Sequence, residues 1–269
     1  MSWLEEELGA LPVVGVAHVP PLPGSPRGRA GDLPGLVDRV RRDAAALADG
    51  GADAVLVENY GDAPYRPRDV PEHAVAFMTR LAAAAREAAG LPLGVNVLRN
   101  DGRAAISVAA AAGGIFVRVN VYAGARVTDQ GLIEGRAHEI QRLRNRVAPD
   151  VRVLADVRVK HSEPLGEEPP LGREVEDVVE RGGADGVIVT GDSTGRPPEA
   201  ERLREARRAA AGVPVLAGSG VTRRSAAEIL QEADGVIVGS DLKEGGRTEA
   251  PVSRGRVRSF VQAARDEVA

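Results

Sequence analysis

A chain of 269 residues, 43% of them hydrophobic, has material for one large core, and its formal net charge of −4 leaves no overall electrostatic footprint for nucleic acid. It has no cysteine, which excludes a disulfide framework and thiolate chemistry. The acidic start Met1–Leu8 lacks the parts of a secretory signal, and no apolar run approaches the ~20 residues that span a bilayer, so a cytoplasmic protein with no membrane span is expected.

In chain order, Leu11–His18 reads as a first strand, followed by a Pro- and Gly-rich loop over 19–28. Helical spacing of Leu36, Val40 and Leu47 predicts a helix over Leu36–Ala48. Ala54–Glu58 is the second strand and Val70–Ala89 holds the second helix. Leu91–Leu98 is the third strand and Arg103–Ala111 a short helix. Ile115–Asn120 is the fourth strand, and a Gly-containing loop runs to Gly131 before a helix over Glu134–Val147. Val151–Val159 is the fifth strand, His161–Leu171 a proline-rich loop, and Glu174–Glu180 part of the fifth helix. Gly186–Thr190 is the sixth strand, with an exit loop to Pro198 and a helix over Glu199–Ala210.

The last two strands are Val213–Gly218 and Gly235–Val238, with a helix over Ser225–Gln231 between them and a closing helix over Arg256–Glu267. The count is eight strands and eight helices. A weak repeat marks the helix-to-strand joins: Gly51-Ala-Asp-Ala-Val55, Gly183-Ala-Asp-Gly-Val187 and Glu232-Ala-Asp-Gly-Val236. No linker-like shift in composition appears, so residues 1–269 are expected to form one (β/α)8 TIM barrel. A doubly wound open sheet is the lesser alternative, because it gives no reason for eight evenly spaced units.

The seventh strand ends in Gly218-Ser-Gly220 and the eighth in Gly239-Ser240. Small residues there expose backbone N–H groups, and in such barrels the loops after strands 7 and 8 form a recurrent phosphate site. A helix beginning at Thr222 would point its positive end at the same spot. Asp241 would repel a dianion, and Lys243, Arg223 and Arg224 are expected to offset it.

Polar side chains at strand exits point to the chemistry. His18, Glu58, Asn96, Arg118, Asn120, Asp156, Lys160 and His161 lie at or near such exits, and Thr190 ends the sixth strand. Period two puts Asp156, Arg158 and Lys160 on one face. Glu58 and Asp156 are candidate general acid/base carboxylates. The alternative is an ion pair with Arg118 or Arg158. Lys160 is either a Schiff-base nucleophile or a lysine that binds an anion. His18 is a proton carrier, a metal ligand or a hydrogen-bonded rim histidine. A divalent metal held by His18, Glu58, Asp156 and His161 lacks any supporting short ligand spacing, and no other cofactor is implied. The P-loop and nucleophile-elbow motifs are absent.

Several blocks together resemble the BtpA family. They are Gly15–Pro26, Glu58-Asn-Tyr-Gly-Asp62, Asn96–Asp101, Arg118-Val-Asn120, Thr128-Asp-Gln-Gly131, Ala155–His161, Val189-Thr-Gly191 with Thr194-Gly195, and Gly218–Thr222. The resemblance covers about Val13 to Val261, and it implies a ribulose-phosphate-binding-type barrel. The family's naming member is linked to photosystem I accumulation in cyanobacteria, and relatives occur where there is no photosynthesis. The family lends no catalytic residues. Asp241 departs from it, standing where a neutral small residue is more usual.

The expectation is therefore an enzyme acting on a small phosphorylated metabolite, a sugar phosphate or nucleotide-derived compound. Phosphate would sit at Gly218, Ser219, Gly220, Gly239 and Ser240. Asp156, Glu58, Lys160 and His18 would carry the chemistry, and Asn96, Arg118, Asn120, His161 and Thr190 would orient the substrate. Lyase, isomerase and hydrolase remain open. The rival is a non-catalytic assembly or stabilising factor. Self-association is expected only on general grounds.

Overall fold

Short Val-, Leu- and Ile-rich runs, punctuated by Gly and Pro, can bury both faces only inside a covered parallel sheet. A computed structural model describes residues 1–191 and 197–266. Its strands are β1 (Val13–His18), β2 (Ala54–Glu58), β3 (Leu93–Asn96), β4 (Phe116–Val119), β5 (Ala125–Thr128), β6 (Gly131–Glu134), β7 (Arg152–Val157), β8 (Ser162–Pro164), β9 (Gly186–Thr190), β10 (Val215–Gly218) and β11 (Gly235–Val238). Its α-helices are α1 (Trp3–Leu8), α2 (Leu33–Gly50), α3 (Glu72–Ala89), α4 (Gly102–Ala112), α5 (Ala137–Val147), α6 (Leu171–Glu176), α7 (Ala200–Ala209), α8 (Ala226–Leu230) and α9 (Arg254–Asp266).

Strands β1, β2, β3, β4, β7, β9, β10 and β11 close in that order into an all-parallel barrel, so the expected TIM barrel is what the chain forms. Alternation divides each strand between two cores. Val14, Val16, Leu56, Phe116, Leu154, Ile188, Leu216 and Ile237 fill the interior. Their neighbours in sequence, such as Val13, Val55, Val117 and Val153, pack outward against the helices. Phe116 fills the barrel centre because residue 94 is glycine: a Cβ there would lie 2.2 Å from the ring. Truncating Phe116 would cost about 3–5 kcal/mol by leaving that centre empty.

Helix α1, absent from the expected elements, plugs the N-terminal end. Its Leu4 and Leu8 join the interior core, and Trp3 Nε1 donates to the Asp185 carbonyl at 2.7 Å. The repeated aspartates work at the same end. Asp53, Asp185 and Asp234 accept from the backbone N–H of Val13, Val153 and Val215, each the N–H at or beside the start of a barrel strand.

The opposite end carries the long loops, and it differs most from expectation. The loop to Gly131 contains β5 and β6, and the proline-rich loop contains β8. Together they form a three-stranded antiparallel sheet beside the mouth. Helix α5 consequently starts at Ala137, because Glu134 ends β6. Helix α8 starts at Ala226, four residues beyond Thr222. Thr194-Gly195 and Glu267 lie outside the described residues. Among the described residues, no helix is long and apolar enough to cross a membrane.

Candidate active site

The strand register sets the mouth. His18 lies opposite Glu58, Glu58 opposite Asn96, and Asn96 opposite Arg118, so four consecutive strands present polar inward residues at one level. Above that level lies a cavity of about 640 Å³, within the range that encloses small-molecule ligands.

Asp156 and Arg118 form its floor. Arg118 donates from Nε and a terminal nitrogen to the two Asp156 oxygens, both at 2.9 Å, and Asn120 adds a third donor at 2.8 Å. Both side chains are buried, and a bidentate fork satisfies the carboxylate in a way a single contact would not. Asn96 Nδ2 donates to the Arg118 carbonyl and to Asn120 Oδ1. Arg118 and Asn120 line the cavity, whereas Asp156 and Asn96 sit beneath it. Of the two sequence readings for Asp156, the ion pair with Arg118 is the one the geometry shows.

His18 and Glu58 form a largely buried pair of titratable side chains. Nε2 and Oε1 are 3.6 Å apart, and both side chains line the cavity. Burial pushes the Glu58 carboxyl up, against the pull of Arg118 and Lys160. Burial also pushes the His18 imidazole well down, helped by the positive charges of Lys243, Lys160 and Arg118. The His18 ring occupies the space where residue 239 would carry a side chain, since a Cβ there would be 2.8 Å from Cε1. Lys160 and His161 also line the cavity. Lys160 is pushed down by burial and then by Arg118, which favours the neutral amine. His161 is pushed down by burial, Lys160 and Arg99.

Arg158 does not share the inward face expected of it. The chain leaves the extended conformation after Val157, and Arg158 takes φ 48°, so the alternation stops. Its guanidinium turns away to Glu168, Glu174 and the Pro169 carbonyl. Arg158 therefore lies outside the barrel, paired, and not on one face with Asp156 and Lys160.

Across the mouth, Ser219 (φ 58°) and Gly220 (φ 79°) are successive left-handed residues. Such a turn points consecutive N–H groups into one concavity. The N–H groups of Ser219, Gly220 and Val221 find no acceptor among the described residues. Ser219, Gly220, Gly239 and Ser240 line the cavity, and Gly218 lies just behind. Thr190 does not line it; its hydroxyl donates to the Arg158 carbonyl at 3.1 Å. Asp241 is neutralised locally, accepting from the Arg223 N–H and from Arg256 at 2.9 Å each. Lys243 does not offset it. That side chain is fully buried elsewhere, with Nζ 3.8 Å from Asp43. The Arg223 N–H is likewise committed to Asp241, so the turn after β10, rather than a helix end, supplies the donors.

The BtpA family model matches residues 10–266. The chain belongs to the BtpA family. It is 45% identical over 252 residues to the photosystem I biogenesis protein BtpA of Synechocystis, covering 94% of this chain and 87% of the relative. It is 44% identical to an uncharacterised protein of Thermococcus kodakarensis, covering 95% of each. Among solved structures it is similar to (S)-3-O-geranylgeranylglyceryl phosphate synthase of Thermoplasma acidophilum in complex with its substrate sn-glycerol-1-phosphate. There the TM-score is 0.60, the identity 13% and the coverage 99% of each chain. That likeness shows the barrel fold.

Sequence reasoning missed several lining residues of this BtpA-family mouth. Tyr60, Tyr65 and Arg99 come from loops after β2 and β3, and Asp129 from the β5–β6 turn. The blocks Glu58–Asp62 and Asn96–Asp101 contained Tyr60 and Arg99, but nothing in the spacing gave them a direction. His18, Glu58, Asp156 and His161 do not converge as a metal site, and among the described residues no group of three or more such side chains does.

Proposed function

We propose that this BtpA-family barrel is an enzyme acting on a small phosphorylated metabolite, with the phosphate on the Ser219–Val221 turn and proton transfer by Glu58 and His18. One observation carries the reading: backbone N–H groups with no acceptor among the described residues share a cavity with two buried titratable side chains 3.6 Å apart. The glycerol phosphate held by the Thermoplasma synthase supports it as a fold-level analogy only.

The substrate's phosphate binds the turn after β10, with Ser240 at its side. Arg118 and Asn120, fixed from below by Asp156, orient the oxygens of the reacting part. Glu58, raised by burial, and His18, kept neutral, exchange a proton with the substrate. Lys160 stands by as a cation for a developing negative charge or, when neutral, as a nucleophile. Acid/base catalysis of this kind contributes about 10²–10⁴-fold.

The test is to incubate the protein with a panel of triose and pentose phosphates and follow products by phosphorus NMR. Turnover that falls about 100-fold or more in Glu58→Gln, with phosphate binding retained, is expected. If no phosphorylated compound binds or reacts, the reading fails. The rival, a non-catalytic assembly factor, draws its support from the name of the Synechocystis relative. Full complementation of a deletion strain by Glu58→Gln would favour that rival.

A further inference from the structure

Phosphate and proton carriers account for only part of the mouth. The chain has three tyrosines, three phenylalanines and one tryptophan in 269 residues. Two of those three tyrosines, Tyr60 and Tyr65, line this one cavity. Both follow β2, which stands three strands round the barrel from β10 and its N–H turn. Neither tyrosine is needed there for the core, since both remain partly exposed.

The Tyr65 hydroxyl is already used, donating to the Tyr60 carbonyl at 2.8 Å. What Tyr65 offers a ligand is therefore its ring. The Tyr60 ring is set against His18, with centroids 4.9 Å apart and planes tilted by 54°. Leu98 and Arg99 follow on from the neighbouring β3 and line the same cavity. Arg99 is buried and donates to the Lys160 carbonyl at 3.0 Å, and among the described residues it has no carboxylate partner. A planar guanidinium beside aromatic rings can stack on a flat ligand or bond to its ring carbonyls. A three- or five-carbon phosphate would leave this wall facing water in a cavity of about 640 Å³.

We infer that the substrate carries a planar heteroaromatic ring, such as a nucleobase, which lies against Tyr60 and Tyr65 while its phosphate occupies the turn after β10. This rests on the phosphate reading above and narrows the substrate class to a ring-bearing sugar phosphate. Stacking on a tyrosine face is sequence-tolerant and does not fix which ring is bound.

The test compares AMP, UMP and ribose 5-phosphate by calorimetry on the wild type, Tyr65→Ala and Tyr65→Phe. A nucleotide should bind about 10-fold or more tightly than ribose 5-phosphate, from the size of base stacking on an aromatic side chain. Tyr65→Ala should erase that preference and Tyr65→Phe should keep it, because Phe preserves the ring and removes only the hydroxyl. Circular dichroism confirms that each variant is folded, and Tyr60→Ala serves if Tyr65→Ala is not. If ribose 5-phosphate binds as well as both nucleotides, or the Ala variants keep the preference, the ring inference is overturned and the phosphate reading stands. If none of the three binds, the phosphate reading falls and takes this inference with it.

Discussion

The two ends of the barrel spend polar groups in opposite ways. At the N-terminal end, three aspartates each accept an N–H at or beside the start of a strand, arginines neutralise them, and α1 covers what remains. At the C-terminal end, N–H groups after β10 meet no acceptor among the described residues, a histidine is held neutral, and burial disfavours the ionised form of a glutamate. Buried polar groups are normally satisfied. An end that satisfies them is built for stability, and an end that leaves donors and strained ionisations open is built for a ligand.

Substitutions at the two ends should therefore have opposite signs. The largest effect is expected from Asp185→Ala at the closed end. It strands the Val153 N–H and removes the partner of Arg144 and Arg152. About 3 kcal/mol of stability should be lost in urea unfolding, with ligand binding unchanged.

Next comes Lys243→Met, on the loop that follows β11. Burial pushes this lysine down to about 8, and among the described residues its Nζ has no hydrogen-bond partner. Between pH 8 and the ordinary 10.5, the unfolded chain holds a proton that the folded chain has released. Wild-type stability therefore rises with pH across that window. Lys243→Met should be more stable by up to about 3 kcal/mol at pH 7, with the gain shrinking as pH rises through the window. A loss of stability at pH 7 would mean that the 3.8 Å contact with Asp43 matters more than burial.

Glu58→Gln should raise stability by about 1 kcal/mol near neutrality while removing activity, the trade expected where function holds a group in an unfavourable state. A raised folded pKa means that wild-type stability falls as pH rises above the ordinary 4.5, so the gain should vanish below that value. The smallest effect is that of His18→Asn. Neutral His18 in the fold protonates on unfolding below 6.5, so the wild type loses stability on acidification. The variant should show a flatter pH slope below pH 6.5, by about one proton at most.

The closed end was the more legible of the two in sequence. Each Gly-Ala-Asp or Glu-Ala-Asp block marks where a helix turns into a strand, although the aspartates' bonds to strand N–H groups and the plugging helix α1 were not read from it. Strands β2 and β9 stand at their expected limits for the same reason. At the mouth, position at a strand exit picked out His18, Glu58, Arg118 and Lys160, all of which line the cavity, but periodicity carried less. It could not see that the chain twists out of the extended form at Arg158, nor that two loops pair into the sheet of β5, β6 and β8. That sheet forms by contact between segments more than 30 residues apart, such as Arg126 with Pro164. Lys243 misled because a charged residue after a strand reads as a rim residue, and only the packed loop shows it to be fully buried. Tyr60 and Tyr65 lie in loops, where no period tells which way a ring faces.

The most direct measurement is a crystal structure of the protein grown with sulfate or inorganic phosphate. An anion is expected on the N–H groups of Ser219, Gly220 and Val221, within reach of Ser240, and none at the Asp53, Asp185 and Asp234 end. An empty turn after β10 with the anion bound elsewhere in the mouth, on Arg99 or Lys160, would contradict it.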